Sequence, residues 1–307
     1  MRRSDFLEHV GWTGAGIAWT FGANGLLVSA AVGDAVAKDA APLFVQISDS
    51  HIGFHQAANP HPEETLAKVV SGINALDTQP KFIMHTGDVT HLSKPEQFAS
   101  ASDLMHGLRA PYFVLPGEHD YIGNDPKNYV QTFKGAALHG STTGWYSWDD
   151  GGVHYVALVN VFNFEKMGLL GTDQLAWLDR DLRGVKSSTP VIVFAHVPLY
   201  ALYEPWGWTT EDGAKALAML RRFDRVSVLN GHIHQVVRHT EGNIEFATAA
   251  STAYPQPKPG AADKPGPVTL PPDQLLGVIG YRTVRGTSPL AIDDRALSGT
   301  ANAGAVR

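Results

Sequence analysis

Residues 43–51 read LFVQISDSH, a short apolar run from Leu43 to Ile47 that gives way at once to Ser48-Asp49-Ser50-His51. A run of this length, bounded by polar residues and too short for a helix, predicts a strand buried on both faces. The same pattern recurs along the chain. Phe82 to His85 leads into Gly87-Asp88, and Tyr112 to Leu115 into Gly117-Glu118-His119-Asp120. Val191 to Ala195 leads into His196, and Val226 to Leu229 into Gly231-His232-Ile233-His234. Carboxylates and imidazoles are thus expected at successive strand ends, where an open α/β sheet leaves a crevice for ligands. In an extended segment residues two apart project to one side, so Asp49 with His51, and His232 with His234, are expected as paired donors. Gly87, Gly117 and Gly231 would permit the close backbone approach this convergence needs.

Helical periodicity fills the intervals. Leu66, Val69, Val70, Ile73 and Leu76 recur on one face behind Pro62, Glu63 and Glu64, which suit a first turn with exposed amides. Further helices are predicted over Pro95 to Leu108, Thr172 to Leu182 and Gly213 to Phe223. Trp145 to Trp148 and Val153 to Asn160 flank the turn Asp149-Asp150-Gly151-Gly152 and read as a hairpin. The fold class is therefore α/β with some antiparallel strands, in one main domain over residues 38–281. Within it, Tyr254 to Pro272 is proline-rich and reads as an extended surface strap, followed by an apolar run, Leu275 to Tyr281. Residues 282–307 read as a C-terminal extension, partly mobile.

Composition narrows the chemistry. The 307 residues are 44% hydrophobic, enough for a large core, and a formal charge of −6 gives no broad footprint for nucleic acid. With no cysteine and 14 histidines, any metal must be held by His, Asp, Glu or Asn. Arg2 and Arg3, the uncharged stretch from Val10 to Gly33, and Ala35-Val36-Ala37 read as an export signal over residues 1–37, twin-arginine-like but with an imperfect motif. A periplasmic or extracellular protein is expected, and the glycines and Asn24 argue against a permanent membrane span.

Taken together, Asp49-Ser50-His51, Gly87-Asp88, Gly117-Glu118-His119-Asp120, His196 and Gly231-His232-Ile233-His234 resemble the ordered motifs of the calcineurin-like metallophosphoesterases, over about Leu43 to Thr248. The resemblance implies a four-layer α-β-β-α sandwich of two mixed sheets with a binuclear metal site at the strands' C-terminal ends. One ion would take Asp49, His51, Asp88 and His234, the other Asp88, Glu118, His196 and His232, with Asp88 as bridge. It also implies a hydrolase of phosphate mono- or diesters in which metal-activated hydroxide attacks in line. His119 would face the leaving oxygen as general acid or charge stabiliser, with Asp120 in place to orient its ring. Asp173 to Leu178 before His196 are most similar to the branch holding cyclic-nucleotide phosphodiesterases and purple acid phosphatases. His-plus-carboxylate donors suit Fe, Mn or Zn, divalent or mixed-valence. The family usually has Asn where this chain has Glu118, and an ionised Glu ligates but cannot donate a hydrogen bond. An exported metal-dependent binding or sensing protein with little turnover is the alternative.

His85 and His91 flank Gly87-Asp88 and are read as structural hydrogen-bonding residues, outside the site. His55, His61, His106, His139, His154 and His239 are also placed outside it. Tyr200, Tyr203, Trp206 and Trp208, just after His196, either wall the substrate cleft or pack a long loop against the domain.

Overall fold

The computed structural model describes residues 43–122, 126–161, 168–287 and 290–299. The expected export segment, residues 1–37, lies outside them. Along the chain come β1 (Phe44–Ile47), α1 (Pro62–Asn74), β2 (Ile83–Thr86), α2 (Pro95–His106), β3 (Tyr112–Leu115) and α3 (Lys127–Phe133). There follow β4 (Tyr146–Asp150), β5 (Val153–Ala157), α4 (Thr172–Arg183), β6 (Val191–Ala195), α5 (Gly213–Leu220), β7 (Val226–Asn230), β8 (Arg238–Glu241) and β9 (Ile244–Thr248). Last come α6 (Pro272–Leu276), β10 (Gly280–Arg285) and β11 (Ala291–Ala296). No helix among the described residues is long and apolar enough to cross a membrane.

Two mixed sheets result. The first has the order β11-β10-β1-β2-β3 and the second β4-β5-β6-β7-β9-β8. In the first, β1, β2 and β3 are parallel while β10 and β11 join antiparallel. In the second, β5, β6, β7 and β9 are parallel, with β4 and β8 antiparallel at the edges. Strand periodicity explains the layering. Phe44 stacks on Phe82 at 5.1 Å within its own sheet and meets Phe194 of β6 edge-on at 5.4 Å, so this face looks across to the second sheet. Burying each such ring contributes about 1.5–3 kcal/mol. Val45 and Ile47 point the other way, sharing a core with Leu66, Val69 and Ile73 of α1 and Phe98 of α2. Likewise Ile192 and Phe194 of β6 face the inter-sheet core, whereas Val191, Val193 and Ala195 pack with Leu175, Leu178 and Leu182 of α4 and Leu217 of α5. This is the α-β-β-α sandwich that the resemblance implies.

Three expectations change. The β4–β5 connection is a two-residue turn, because Asp149 and Asp150 stay in the strand and only Gly151 and Gly152 turn, both at positive φ as a tight hairpin requires. The proline-rich strap is a surface feature only in part, since Tyr254 and Gln256 at its start are buried. Part of the expected C-terminal extension instead belongs to the first sheet, with β10 (Gly280–Arg285) on β1 and β11 (Ala291–Ala296) on β10.

Candidate metal centre

The strand-end residues converge, though by a different local geometry from the extended pairing expected of them. Asp49, His51, Asp88, His232 and His234 all have left-handed backbone, with φ of 54°, 42°, 52°, 70° and 52°. Such conformations cost on the order of 1–3 kcal/mol each and concentrate at functional sites. Turning the chain this way sends His232 and His234 into two different groups of donors, where a pleated segment would send them into one. Space is equally tight: a Cβ on Gly117 would sit 2.1 Å from Asp88 Oδ1, and one on Gly231 2.1 Å from Ser48 Oγ.

In the first group Asp49, His51, Asp88 and His234 are all buried, with one donor atom from each within 4.8 Å of the others. His51 Nε2 lies 3.1 Å from His234 Nε2, and His234 Nε2 3.4 Å from Asp49 Oδ1. Glu118, His196 and His232 form the second group, also buried. Glu118 reaches His196 Nε2 at 3.0 Å through Oε2 and His232 Nδ1 at 3.0 Å through Oε1. Asp88 Oδ2, a member of the first group, also lies near the second, 3.5 Å from His51 Nε2 and 3.4 Å from His196 Nε2. Although so close, Glu118 Oε2, His196 Nε2 and His232 Nδ1 make no well-aligned hydrogen bond. Lone pairs brought together without a shared proton axis, in a buried place, fit a cation between them.

The remaining nitrogens are anchored. His196 Nδ1 donates to the Thr86 carbonyl at 2.7 Å and His234 Nδ1 to the Tyr254 carbonyl at 2.6 Å, leaving each Nε2 as the free donor atom. Burial opposes ionisation of Asp49, but His234 and His196 lower its pKa to about 2. Burial likewise opposes Glu118, yet His232 and His196 hold it well below the usual range. Conversely, burial disfavours charge on His196, and Asp88 and Glu118 override it, raising the imidazole well above its ordinary value. For His51 burial dominates and lowers the pKa well below normal. A cation taking the place of these protons would satisfy the same carboxylates with neutral imidazoles.

His119 stands beside both groups. Its main-chain N–H donates to Asp88 Oδ1 at 2.9 Å, and its Nδ1 bonds the His91 carbonyl at 2.7 Å. Burial lowers its pKa, but Asp88 and Glu118 outweigh burial and raise it overall. Asp120 does not play the part expected of it. The short helical turn over Glu118–Asp120 carries its carboxylate inward, where Oδ2 accepts from the main-chain N–H of Val89 and Gly117, and Oδ1 from the N–H and hydroxyl of Thr90. Burial and Asp88 push its pKa up to about 7, against these donors, which hold the ionised form. It braces the Asp88 loop, and the His91 carbonyl, not Asp120, orients His119.

Three more residues join the site: His91, which the sequence reading places outside it, and Tyr254 and Gln256, which the sequence pattern does not single out. His91 and His51 present Nδ1 atoms 3.4 Å apart, and the His91 ring stacks on His119. Tyr254 stacks on His51 at 4.9 Å, and Gln256 Nε2 donates to the His232 carbonyl at 2.9 Å. His85 is a structural residue, its Nε2 2.9 Å from Ser50 Oγ. The aromatic segment after His196 favours packing: Trp206 and Trp208 are buried with Ile233 and Val237, supporting the turn between His232 and His234. Tyr200 lies against His239 and Phe246.

Two buried donor groups with a carboxylate between them, at the carboxyl ends of two packed sheets, define the class of two-metal hydrolases. The chain belongs to the calcineurin-like phosphoesterase family, whose sequence model matches residues 42–236. It is a metal-dependent phosphoester hydrolase. Among its relatives, the glycerophosphodiester phosphodiesterase GpdQ of Enterobacter lignolyticus is 24% identical over 68% of this chain and 76% of its own length. A 3',5'-cyclic-nucleotide phosphodiesterase of Nostoc is 24% identical over 62% of this chain and 70% of its own length. The serine/threonine-protein phosphatase CPPED1 of Bos taurus is 26% identical over 60% and 63%. In fold, the chain is similar to a dimetal phosphatase from Danio rerio, with a TM-score of 0.63 at 13% identity, covering 83% of this chain and 97% of that one. A purple acid phosphatase from yellow lupin matches with a TM-score of 0.57 at 14% identity over 83% and 51%.

Proposed function

We propose that the enzyme acts on small phosphodiesters and other monoanionic phosphates, with Asp49, His51, Asp88 and His234 holding one ion and Asp88, Glu118, His196 and His232 the other. Nitrogen-plus-carboxylate donors of this kind take Fe, Mn or Zn. Bound there, a pair of cations supplies an acidified water and a clamp for phosphoryl oxygens. The protein's own groups do the rest. Asp88, pinned by the His119 main-chain N–H, keeps the two donor groups in register. His119, beside both donor groups and held by its main-chain N–H on Asp88 Oδ1, is the group placed to hand a proton to the leaving oxygen. Its Nδ1, fixed on the His91 carbonyl, sets the plane of the ring. The relatives named as diester hydrolases, GpdQ and the Nostoc enzyme, support this substrate class.

The observation that carries the reading is the position of Asp88 Oδ2, within 3.5 Å of an imidazole nitrogen from each group. Asp88→Asn should lose metal and lower turnover of a phosphodiester by about 10²-fold or more. Metal content by elemental analysis and phosphate-ester turnover with added Mn²⁺ are the measurements. Full occupancy with unimpaired turnover in the variant, or no turnover by wild type on any mono- or diester, would overturn the proposal.

A further inference from the structure

His51 presents Nε2 to the candidate metal site, 3.1 Å from His234 Nε2 and 3.5 Å from Asp88 Oδ2. A neutral imidazole that gives its Nε2 lone pair to a cation carries its proton on Nδ1. That N–H needs an acceptor, because His51 is 1% exposed and no water shell can supply one. His196 and His234 meet the same need with main-chain carbonyls, those of Thr86 and Tyr254. Facing His51 Nδ1 is a side-chain atom, His91 Nδ1, at 3.4 Å. His91 is itself held in place. Its ring stacks on His119 at 4.8 Å with 19° between planes, and meets Phe54 edge-on at 5.1 Å.

Resting on the metal reading above, we propose that His91 is a positioning residue for the metal centre. As its Nε2–H tautomer it accepts the His51 Nδ1–H, fixing that ring and raising the basicity of the nitrogen offered to the cation. Through its carbonyl it also sets His119, so one residue couples a metal ligand to the candidate acid. Only the first task depends on its side chain, which makes the two separable by substitution.

The test is calorimetric titration of metal-free protein with Mn²⁺. His91→Phe keeps the carbonyl and an aromatic face for His119 but offers no acceptor, and should weaken Mn²⁺ binding by about 10- to 100-fold. His91→Asn restores an acceptor oxygen and should recover most of that loss. His91→Ala, which removes ring and acceptor without adding bulk, should bind as weakly as the Phe variant, and thermal unfolding checks that each protein is folded. Binding by His91→Phe and His91→Ala as tight as wild type, or by His91→Asn as weak as the other two, overturns the positioning role. A wild type that takes up no Mn²⁺, Zn²⁺ or Fe²⁺ refutes instead the metal reading beneath it.

Discussion

Glu118 puts a third carboxylate among the candidate ligands, with both oxygens engaged toward His196 and His232. Two divalent ions with three carboxylates keep one net positive charge; with two carboxylates and an amide they would keep two. At about 5 Å and an effective dielectric of about 20, one unit of site charge is worth about 3 kcal/mol per unit of substrate charge. A dianionic monoester forfeits about twice what a monoanionic diester does. Glu118→Asn should therefore raise the ratio of kcat/KM for a phosphomonoester to that for a diester of the same leaving group by about tenfold or more, or about 1.4 kcal/mol. The ratio cancels general damage to the site; if it stays flat or falls at equal metal loading, charge is not what sets preference. The identity of this residue is legible from sequence, since it follows an apolar run and a glycine. The left-handed turns at Asp49 and His234 are not, because Asp and His, though enriched there, adopt left-handed backbone only in a small minority of places and nothing in Asp-Ser-His or His-Ile-His marks these as such. The part that His91 and Tyr254 play at the site escapes for a related reason: their contacts with His51 arise from packing across 40 or more residues of sequence.

At the scale of elements, the hairpin β4–β5 is clipped to α4 by a buried imidazole. His154 Nδ1 lies 2.9 Å from Asp149 Oδ1 and its Nε2 3.0 Å from Asp181 Oδ2, while Ser147 Oγ donates to Asp181 Oδ1 at 2.6 Å. Two carboxylates each want a proton, and only the charged ring has two to give. Burial lowers the His154 pKa, but the hydrogen bonds to Asp181 and Asp149 outweigh burial and raise it above 6.5. The folded value being the higher one, this stabilisation is complete below the unfolded value and fades as pH rises through the folded value. His154→Gln should cost about 1–2 kcal/mol at pH below about 6, and the gap to wild type should narrow as pH rises through the raised folded value. Urea unfolding of both proteins across that range is the check; a gap that widens with pH would exclude the ionic clip. The hairpin itself is readable from Gly151-Gly152 between apolar runs. β8 and β11 are not, since Arg238-His239-Thr240-Glu241 and Ile292-Asp293-Asp294-Arg295 show little apolar alternation and become strands only by pairing with β9 and β10 at sheet edges.

For the molecule as a whole, the question is what keeps the two sheets in register so that ligands from both meet. Arg282 of β10, 1% exposed, answers much of it. Its Nε donates to Asp294 of β11 at 2.6 Å, Nη1 to Gln46 Oε1 of β1 at 3.3 Å, and Nη2 to the carbonyl of Thr248, the last residue of β9 in the other sheet. Gln46 Nε2 then spans the same gap to the Asn230 carbonyl of β7 at 3.2 Å and bonds Thr86 Oγ1 at 3.0 Å. The carbonyl of Thr86 is the one that holds His196. A polar seam therefore runs from the chain's last strands, through the inter-sheet core, to a candidate ligand. Methionine would fill much of the arginine's volume while leaving the Asp294 carboxylate without its closest donor and Gln46 Oε1 and the Thr248 carbonyl each short of one. Removing one partner of a buried ion pair costs about 3–5 kcal/mol, and with Asp294 16% exposed the lower end of that range applies. Arg282→Met should lose stability on that scale in urea unfolding at matched metal content, with an accompanying fall in metal affinity as His196 loosens. Stability within about 0.5 kcal/mol of wild type, the range of an ordinary surface substitution, would mean that apolar packing alone sets the sheet register.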